Sequence, residues 1–147
     1  MREDMGLYRG KRKDNGEWVE GYLCRKYFQE IPHDRVVIQY ETKGNGEMRQ
    51  PKYMVAEVIP SSIVMFTGLT DKNDKKIFEG DIGRYKQTDG AKENGKPIIC
   101  TGKVIYNAKT ASYAVESKDE KGRKYFDYFP MKDFEIIGNE WDNPELL

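Results

Sequence analysis

The sequence predicts an all-β, mainly antiparallel fold with little helix, and three observations carry that expectation. Short apolar runs rich in β-branched and aromatic residues recur along the chain, as strands require. Polar turn clusters separate them, at Asp14-Asn15-Gly16, Lys43-Gly44-Asn45-Gly46, Asp71-Lys72-Asn73-Asp74-Lys75 and Lys118-Asp119-Glu120-Lys121-Gly122. The 10 tyrosines and 6 phenylalanines supply core area that a lean aliphatic content does not. The turns are unequally spaced, so they indicate a meander of hairpins and not an internal duplication.

The elements follow in order. Leu7-Tyr8-Arg9-Gly10-Lys11 reads as a first strand, and Asn15-Gly16 as its hairpin turn, the pair supplying two positive φ angles. Trp18 to Leu23 is the return strand. Pro32 forbids a regular ladder bond between Arg25 and Asp34, and Val36 to Tyr40 forms the next strand. Tyr53 to Ile59 is apolar and stopped by Pro60; its periodicity does not separate strand from helical turn. Ile63-Val64-Met65-Phe66 reads as a strand buried on both faces. Asp71 to Lys75 turns the chain back into Ile77-Phe78, with a second bend at Gly80. Lys86 to Lys96 is loop by composition. Ile98 to Tyr106, bent at Gly102, returns through Tyr113 to Glu116, and Tyr125 to Phe129 follows. Pro130 to Asp133 is suited to a single helical turn, Phe134 to Ile137 is the last strand, and Trp141 with Leu146-Leu147 pins a tail to the body.

The 147 residues fit one domain or two small lobes. The division expected is an N-terminal β-rich part, 1–60, and a C-terminal part, 61–147, with one continuous domain as the alternative. Gly80-Asp81-Ile82, a loop, then Gly102-Lys103-Val104 is a phrase similar to those of SH3-like barrels, which predicts a small barrel in the C-terminal half.

Composition excludes several function classes. Charged residues reach 34%, yet 25 basic and 25 acidic side chains cancel, so no general attraction to nucleic acid or anionic membrane exists. The first residues have no apolar signal region, and no apolar run approaches a membrane span. Cys24 and Cys100 are the only cysteines, which suits two packed thiols in a reducing cytoplasm. With one histidine, His33, they cannot build an ordinary structural zinc site.

The stretch Phe66 to Ile82 organises the chain. Its residues Phe66, Thr67, Gly68, Leu69, Asp71, Asn73, Lys75, Ile77, Phe78, Glu79, Gly80, Asp81 and Ile82 follow the signature of the YopX family, small proteins of bacteriophages and prophages, and the chain resembles that family. Two more blocks agree: Tyr8-Arg9-Gly10-Lys11 through Asn15-Gly16-Glu17-Trp18-Val19 to Gly21-Tyr22, and Phe134 to Asn139 with Asn143-Pro144-Glu145-Leu146. The resemblance implies a β-rich fold and the cytoplasm of an infected or lysogenic bacterium. It brings no catalytic residue, and no cofactor. Two positions depart from the signature. Asp74 stands where the family has Gly, although Asp takes a left-handed backbone less readily. Gly83 stands where a β-branched residue is common, which predicts weaker packing and a bulge.

Few residues invite chemistry. His33 reads as an exposed loop histidine, since adjacent Asp34 is badly placed to orient it. Glu79 and Asp81 face one side if the backbone is extended, as a divalent cation site needs. Gly80 between them breaks the alternation, and acids flanking a bend accept backbone N–H groups. Thr67, Gly68, Leu69, Asp71, Asn73, Glu79, Gly80 and Asp81 are therefore read as structural. For nucleic acid, Arg9, Lys11, Arg12 and Lys13, with Arg25 and Lys26, gather beside Tyr8, Trp18 and Tyr22, the mixture a single-strand groove uses. The alternative is a solvated hairpin edge guarded by lysines. No phosphate loop, metalloprotease motif or nucleophile elbow is present.

The function expected is a non-enzymatic phage or prophage accessory protein that binds a host or phage macromolecule, a protein in preference. The alternatives are a small-barrel nucleic-acid binder and a metal-dependent enzyme using Glu79 and Asp81. No membrane partner is expected, and a homo-oligomer is compatible with all three.

Overall fold

The computed structural model describes residues 6–25, 35–42, 52–87, 92–131 and 133–147. It divides into two compact units, Met1–Phe66 and Thr67–Leu147.

In the first unit the strands are β1 (Leu7–Lys11), β2 (Trp18–Arg25), β3 (Val36–Thr42), β4 (Lys52–Glu57) and the start of β5 (Val64–Thr70). Their order in the sheet is β4-β3-β2-β1-β5, with antiparallel pairing between each neighbour. Alternation decides the faces. Val19, Ile38, Ala56 and Val58 build the core on one side, with Tyr8, Leu23, Val36, Tyr40 and Ile63 packed against them. The register Leu7↔Tyr22, Arg9↔Glu20 and Lys11↔Trp18 puts those side chains on the other side. A 3-10 turn at Pro60–Ser62 is locked by buried Ser62, whose hydroxyl accepts the Lys11 N–H at 2.8 Å and donates to the Ile59 carbonyl at 2.6 Å.

The structure decides three local points. Tyr53 to Ile59, ambiguous in the sequence between strand and helical turn, is a strand over Lys52–Glu57. In β5, Val64 and Phe66 are buried while Met65 between them is exposed, so that strand buries one face and not two. At the first turn only Gly16 has a positive φ, 71°, and Asn15 does not. The loop from Arg12 to Glu17 is longer than a two-residue turn, closed by Arg12 N–H to Glu17 O at 2.9 Å and Gly16 N–H to Arg12 O at 3.0 Å. Asn15 instead accepts the Glu17 N–H through its side chain at 2.9 Å.

In the second unit the end of β5 neighbours β6 (Lys76–Phe78), forming the hairpin expected of the central stretch. β7 (Asp81–Lys86), β10 (Ile99–Asn107), β11 (Ser112–Lys118), β12 (Lys124–Tyr128) and β13 (Glu135–Asn139) make a five-stranded sheet in the order β12-β11-β10-β7-β13. Ile77, Tyr85, Val104, Val115, Met131 and Phe134 form its core, with Cys100, Tyr113, Phe129 and Ile136 against it. The barrel expected in this half does not close among the described residues, because β12 and β13 are opposite edges and do not pair. After Tyr128 the chain reaches Pro130, which has no N–H to extend a ladder, and crosses to the far side of β7. The fold is all-β and antiparallel, and the sheet is open.

Two further segments differ from expectation. Within Lys86 to Lys96, read as loop, β8 (Lys92–Glu93) and β9 (Lys96–Pro97) form a small antiparallel hairpin. Asn94 and Gly95 turn it with φ of 51° and 75°, the Asn-Gly pairing whose twist matches a hairpin. Around Pro130 there is no helix among the described residues; Phe134 N–H to Met131 O at 3.3 Å closes a simple turn. No helix among the described residues is long and apolar enough to cross a membrane.

Gly83 departs from the weak packing expected of it. A Cβ there would overlap the ring of Phe134, which is fully buried, so the missing side chain is the space the ring fills. Phe134 in turn stacks edge-on with Phe129 at 5.3 Å between centroids. The expected bulge is present but on the partner strand: β13 shifts register between Ile136, opposite Gly83, and Gly138, opposite Ile82. Gly83→Ala is expected to destabilise by about 1–3 kcal/mol through overpacking. Urea denaturation of Gly83→Ala, Phe134→Leu and the double variant checks this. The double variant should lose less than the sum of the two, since the smaller side chain makes room for the methyl group.

Candidate functional site

The motif residues act on backbone. Thr67 donates its hydroxyl to the Ile77 carbonyl at 2.8 Å and accepts the Leu69 N–H at 3.2 Å, tying β5 to β6. Gly68 has φ of 84° and open space beside it, and Leu69 is on the surface. Asp71 is buried, and its Oδ1 accepts the N–H groups of Asn73 at 2.8 Å and Lys75 at 3.0 Å. That is the self-capping turn for which Asp is suited. Its other oxygen, Oδ2, accepts the Ile136 N–H of β13 at 3.1 Å. Next to it the Lys72 N–H donates to the Phe134 carbonyl at 2.9 Å, and the Lys72 ammonium pairs with Glu135 at 2.8 Å. One turn thus covers the outer edge of β13.

The electrostatics follow from those bonds. Burial works against the charge of Asp71, but the N–H groups of Ile136, Lys75 and Asn73 outweigh it and hold the carboxyl below its ordinary value. Glu135 is also held low, first by its hydrogen bond to Lys72.

Glu79 and Asp81 are separated by a bend and not by extended backbone. Gly80 between them has φ of 84°, its N–H bonds Val104 O at 2.8 Å, and its carbonyl accepts the Glu140 N–H at 2.9 Å. A Cβ on Gly80 would overlap the ring of Trp141, so that position needs Gly for its angle and its space. Asp81 is fully buried and accepts the Phe78 N–H at 2.8 Å, while Glu79 is half-buried. Among the described residues no three His, Cys, Asp or Glu side chains are grouped as a metal site needs. Cys24 and Cys100 are half-buried and form no disulfide. His33 and Lys26 lie outside the described residues, as does the side chain of Arg25.

The cationic candidates separate into two kinds. Arg12 forms a two-pronged ion pair with Asp14 at 2.6 and 2.9 Å, and Lys13 pairs with Glu57 at 2.8 Å. Arg9 and Lys11 instead stack on Trp18, with the guanidinium 4.7 Å and the ammonium 5.4 Å from the ring centroid. Tyr8 belongs to the opposite, core-facing side and leaves the group. Tyr22, named from the sequence, stays on this face, and Tyr53 and Val55 of β4, which sequence reasoning missed, share it. The register Leu7↔Tyr22, Tyr22↔Gln39 and Gln39↔Val55 carries one row across the sheet, and Glu41↔Tyr53 lies beside it. Tyr22, Tyr53 and Val55 are 51%, 62% and 47% exposed on that face. Only the strand pairing shows that these side chains share one face.

The second unit holds a groove of about 560 Å³ lined by Cys100, Ser117, Asp119, Tyr125 and Asp127 among others. Beneath it the buried Tyr85 hydroxyl donates to Asp127 at 2.7 Å and is 3.5 Å from Ser117. Burial, then the Asp127 carboxylate, pushes the Tyr85 phenol above its ordinary value, against the opposing Ser117 bond. No sequence signal points to this groove, since its residues come from separated strands.

A model of the YopX protein family matches residues 7–147, nearly the whole chain. The chain belongs to the YopX family. Among curated proteins no sequence matches it. In this chain Thr67 of the signature bonds the backbone of β6, and Asp71 bonds the backbone of its own turn and of β13.

Two outcomes follow for this YopX protein. Asp71→Ala should cost about 2–4 kcal/mol, because a bonded carboxylate is lost and buried N–H donors are left without a partner. A carboxyl held low in the folded state contributes stability above its unfolded value of about 4 and loses it as pH falls through the folded value. Urea midpoints between neutral pH and pH 2 should therefore fall less steeply in Asp71→Asn than in the wild type. Asp74 carries φ of 60°, the left-handed backbone the family assigns to Gly. Asp74→Gly should stabilise the fold by up to about 1 kcal/mol and so raise the melting midpoint, and Asp74→Val should lower it.

Proposed function

We propose that this protein is a non-enzymatic binding module of phage or prophage origin, acting in the bacterial cytoplasm. Its partner is a host or phage macromolecule, a protein in preference, engaged through the outer face of β1, β2, β3 and β4. The observation that carries this reading is the exposure of Tyr22, Tyr53 and Val55 beside Trp18. Large apolar side chains gathered on one face mark an interaction surface, whereas single ones are ordinary. Aromatic residues are also those that dominate binding energy at interfaces. The motif carboxylates favour no reaction in this reading, since Asp71 and Asp81 are engaged with backbone N–H groups.

A second reading, single-stranded nucleic acid, is favoured by one observation: Arg9 and Lys11 are held against Trp18. An aromatic plane with adjacent cations is what a base and its phosphate require. It ranks second because Arg12 and Lys13 are already matched by Asp14 and Glu57.

Affinity purification of the tagged full chain from its bacterial host, wild type beside Tyr22→Ala/Tyr53→Ala, tests the first reading. One partner should be enriched by the wild type and bind the variant more weakly by about 2 kcal/mol, roughly 30-fold. Equal recovery, or no enrichment by a folded wild type, would contradict it. For the second reading, anisotropy of a labelled oligothymidine should show salt-dependent binding that Arg9→Glu/Lys11→Glu weakens. No binding at low salt removes that reading.

A further inference from the structure

Asn-Gly pairs occur at Asn15-Gly16, Asn45-Gly46 and Asn94-Gly95. Asn45-Gly46 lies outside the described residues, and the other two are exposed hairpin turns held in different ways. At the first, the Gly16 N–H donates to the Arg12 carbonyl at 3.0 Å. The Asn15 side chain accepts the Glu17 N–H at 2.9 Å and donates to Glu17 Oε2 at 3.3 Å. The strands that this turn joins, β1 and β2, belong to a larger sheet with a buried core. At Asn94-Gly95, neither the Asn94 side chain nor the Gly95 N–H has a hydrogen-bond partner among the described residues. β8 and β9 form a two-stranded sheet of their own, and residues 92–97 are all exposed. A two-stranded hairpin that buries nothing is marginal in water and opens at little cost.

We propose that Asn94 is a site of self-modification, losing its side-chain amide through ring closure with the backbone nitrogen of Gly95, while Asn15 is protected. The Gly95 nitrogen gives up its proton to solvent and bonds to Asn94 Cγ. The Cγ–Nδ2 bond breaks, Nδ2 takes up a proton and ammonia leaves, which closes a five-membered succinimide. Water then opens the ring at either carbonyl, giving aspartate or, where the main chain now runs through Cβ, isoaspartate. Gly95 has no Cβ to obstruct the closure, and a Cβ built on it would meet nothing within 4 Å. At Asn15 the same step must first break the Gly16 and Glu17 bonds. Both products carry a carboxylate, so the reaction adds an acid to a chain whose 25 basic and 25 acidic side chains cancel. Isoaspartate also lengthens the main chain within a two-residue turn whose φ angles, 51° and 75°, suit Asn-Gly, and so disrupts the pairing of β8 with β9. This site is in the second unit and does not rest on the binding face of the first.

The full chain, incubated in mildly alkaline buffer at physiological temperature and then mapped peptide by peptide in a mass spectrometer, tests this. Asn94 should be converted at least about tenfold faster than Asn15, since an isolated hairpin opens more cheaply than a strand pair inside a larger sheet. Electron-transfer fragmentation should find isoaspartate as well as aspartate at position 94, because only the succinimide route yields both. In guanidinium chloride, where neither turn is held, the two asparagines should convert at comparable rates. No conversion at Asn94, equal rates in the folded chain, faster conversion at Asn15, a gap of the same size in guanidinium chloride, or aspartate without isoaspartate would each overturn the proposal.

Discussion

The second unit depends on one carboxylate. Asp71 holds its own turn through Asn73 and Lys75 and the last strand through Ile136, so one side chain joins segments 65 residues apart. Backbone N–H groups that leave water must find acceptors, and a strand edge offers many of them at once. An ionised carboxylate can satisfy several donors in a small volume and binds each more strongly than a neutral acceptor does. The motif is thus a cap on the edge of β13. Of the two acids that invite a catalytic interpretation, Glu79 and Asp81, the buried Asp81 accepts the backbone N–H of Phe78.

Close approach supplies the second constraint. At Gly80 and Gly83 the absent side chains make room for the rings of Trp141 and Phe134. Both rings follow at the C-terminal end of the chain, so the sheet is completed only when residues 134–141 arrive. The buried Phe134 and the half-buried Trp141 add aromatic area to a core that also holds Ile77, Val104 and Val115. The aromatics left over are on the surface, at Tyr22, Tyr53, Tyr125, Phe126 and Tyr128. Aromatic side chains of that kind dominate binding energy at interfaces.

Much of the fold was legible because its signals are local. Hairpin turns with Gly, Asn and Asp between β-branched runs marked most strands within a few residues, and the central hairpin with its Gly80 bend appears where the turn chemistry placed it. Asn94-Gly95 was equally local, but its flanking residues are polar, so composition concealed a hairpin whose turn was explicit. Whether a sheet closes depends on the pairing of its end strands, which are far apart in sequence; the barrel expected in this half was illegible for that reason. Gly83 was misread because a glycine in a strand looks like a weakness until the ring above it is placed. The binding face was half legible. Trp18 with Arg9 and Lys11 emerges from neighbouring strands, whereas Arg12 and Lys13 are claimed by Asp14 and by Glu57, one of them more than forty residues away.

Native-state hydrogen exchange at the Ile136 amide tests the Asp71 cap most directly. This N–H points away from the sheet, toward a carboxylate, and an uncapped edge amide there would exchange freely. The account predicts protection matching that of amides in the interior strand β10, so that Ile136 opens only with the unit as a whole. Rapid exchange at Ile136 while β10 stays protected would contradict it.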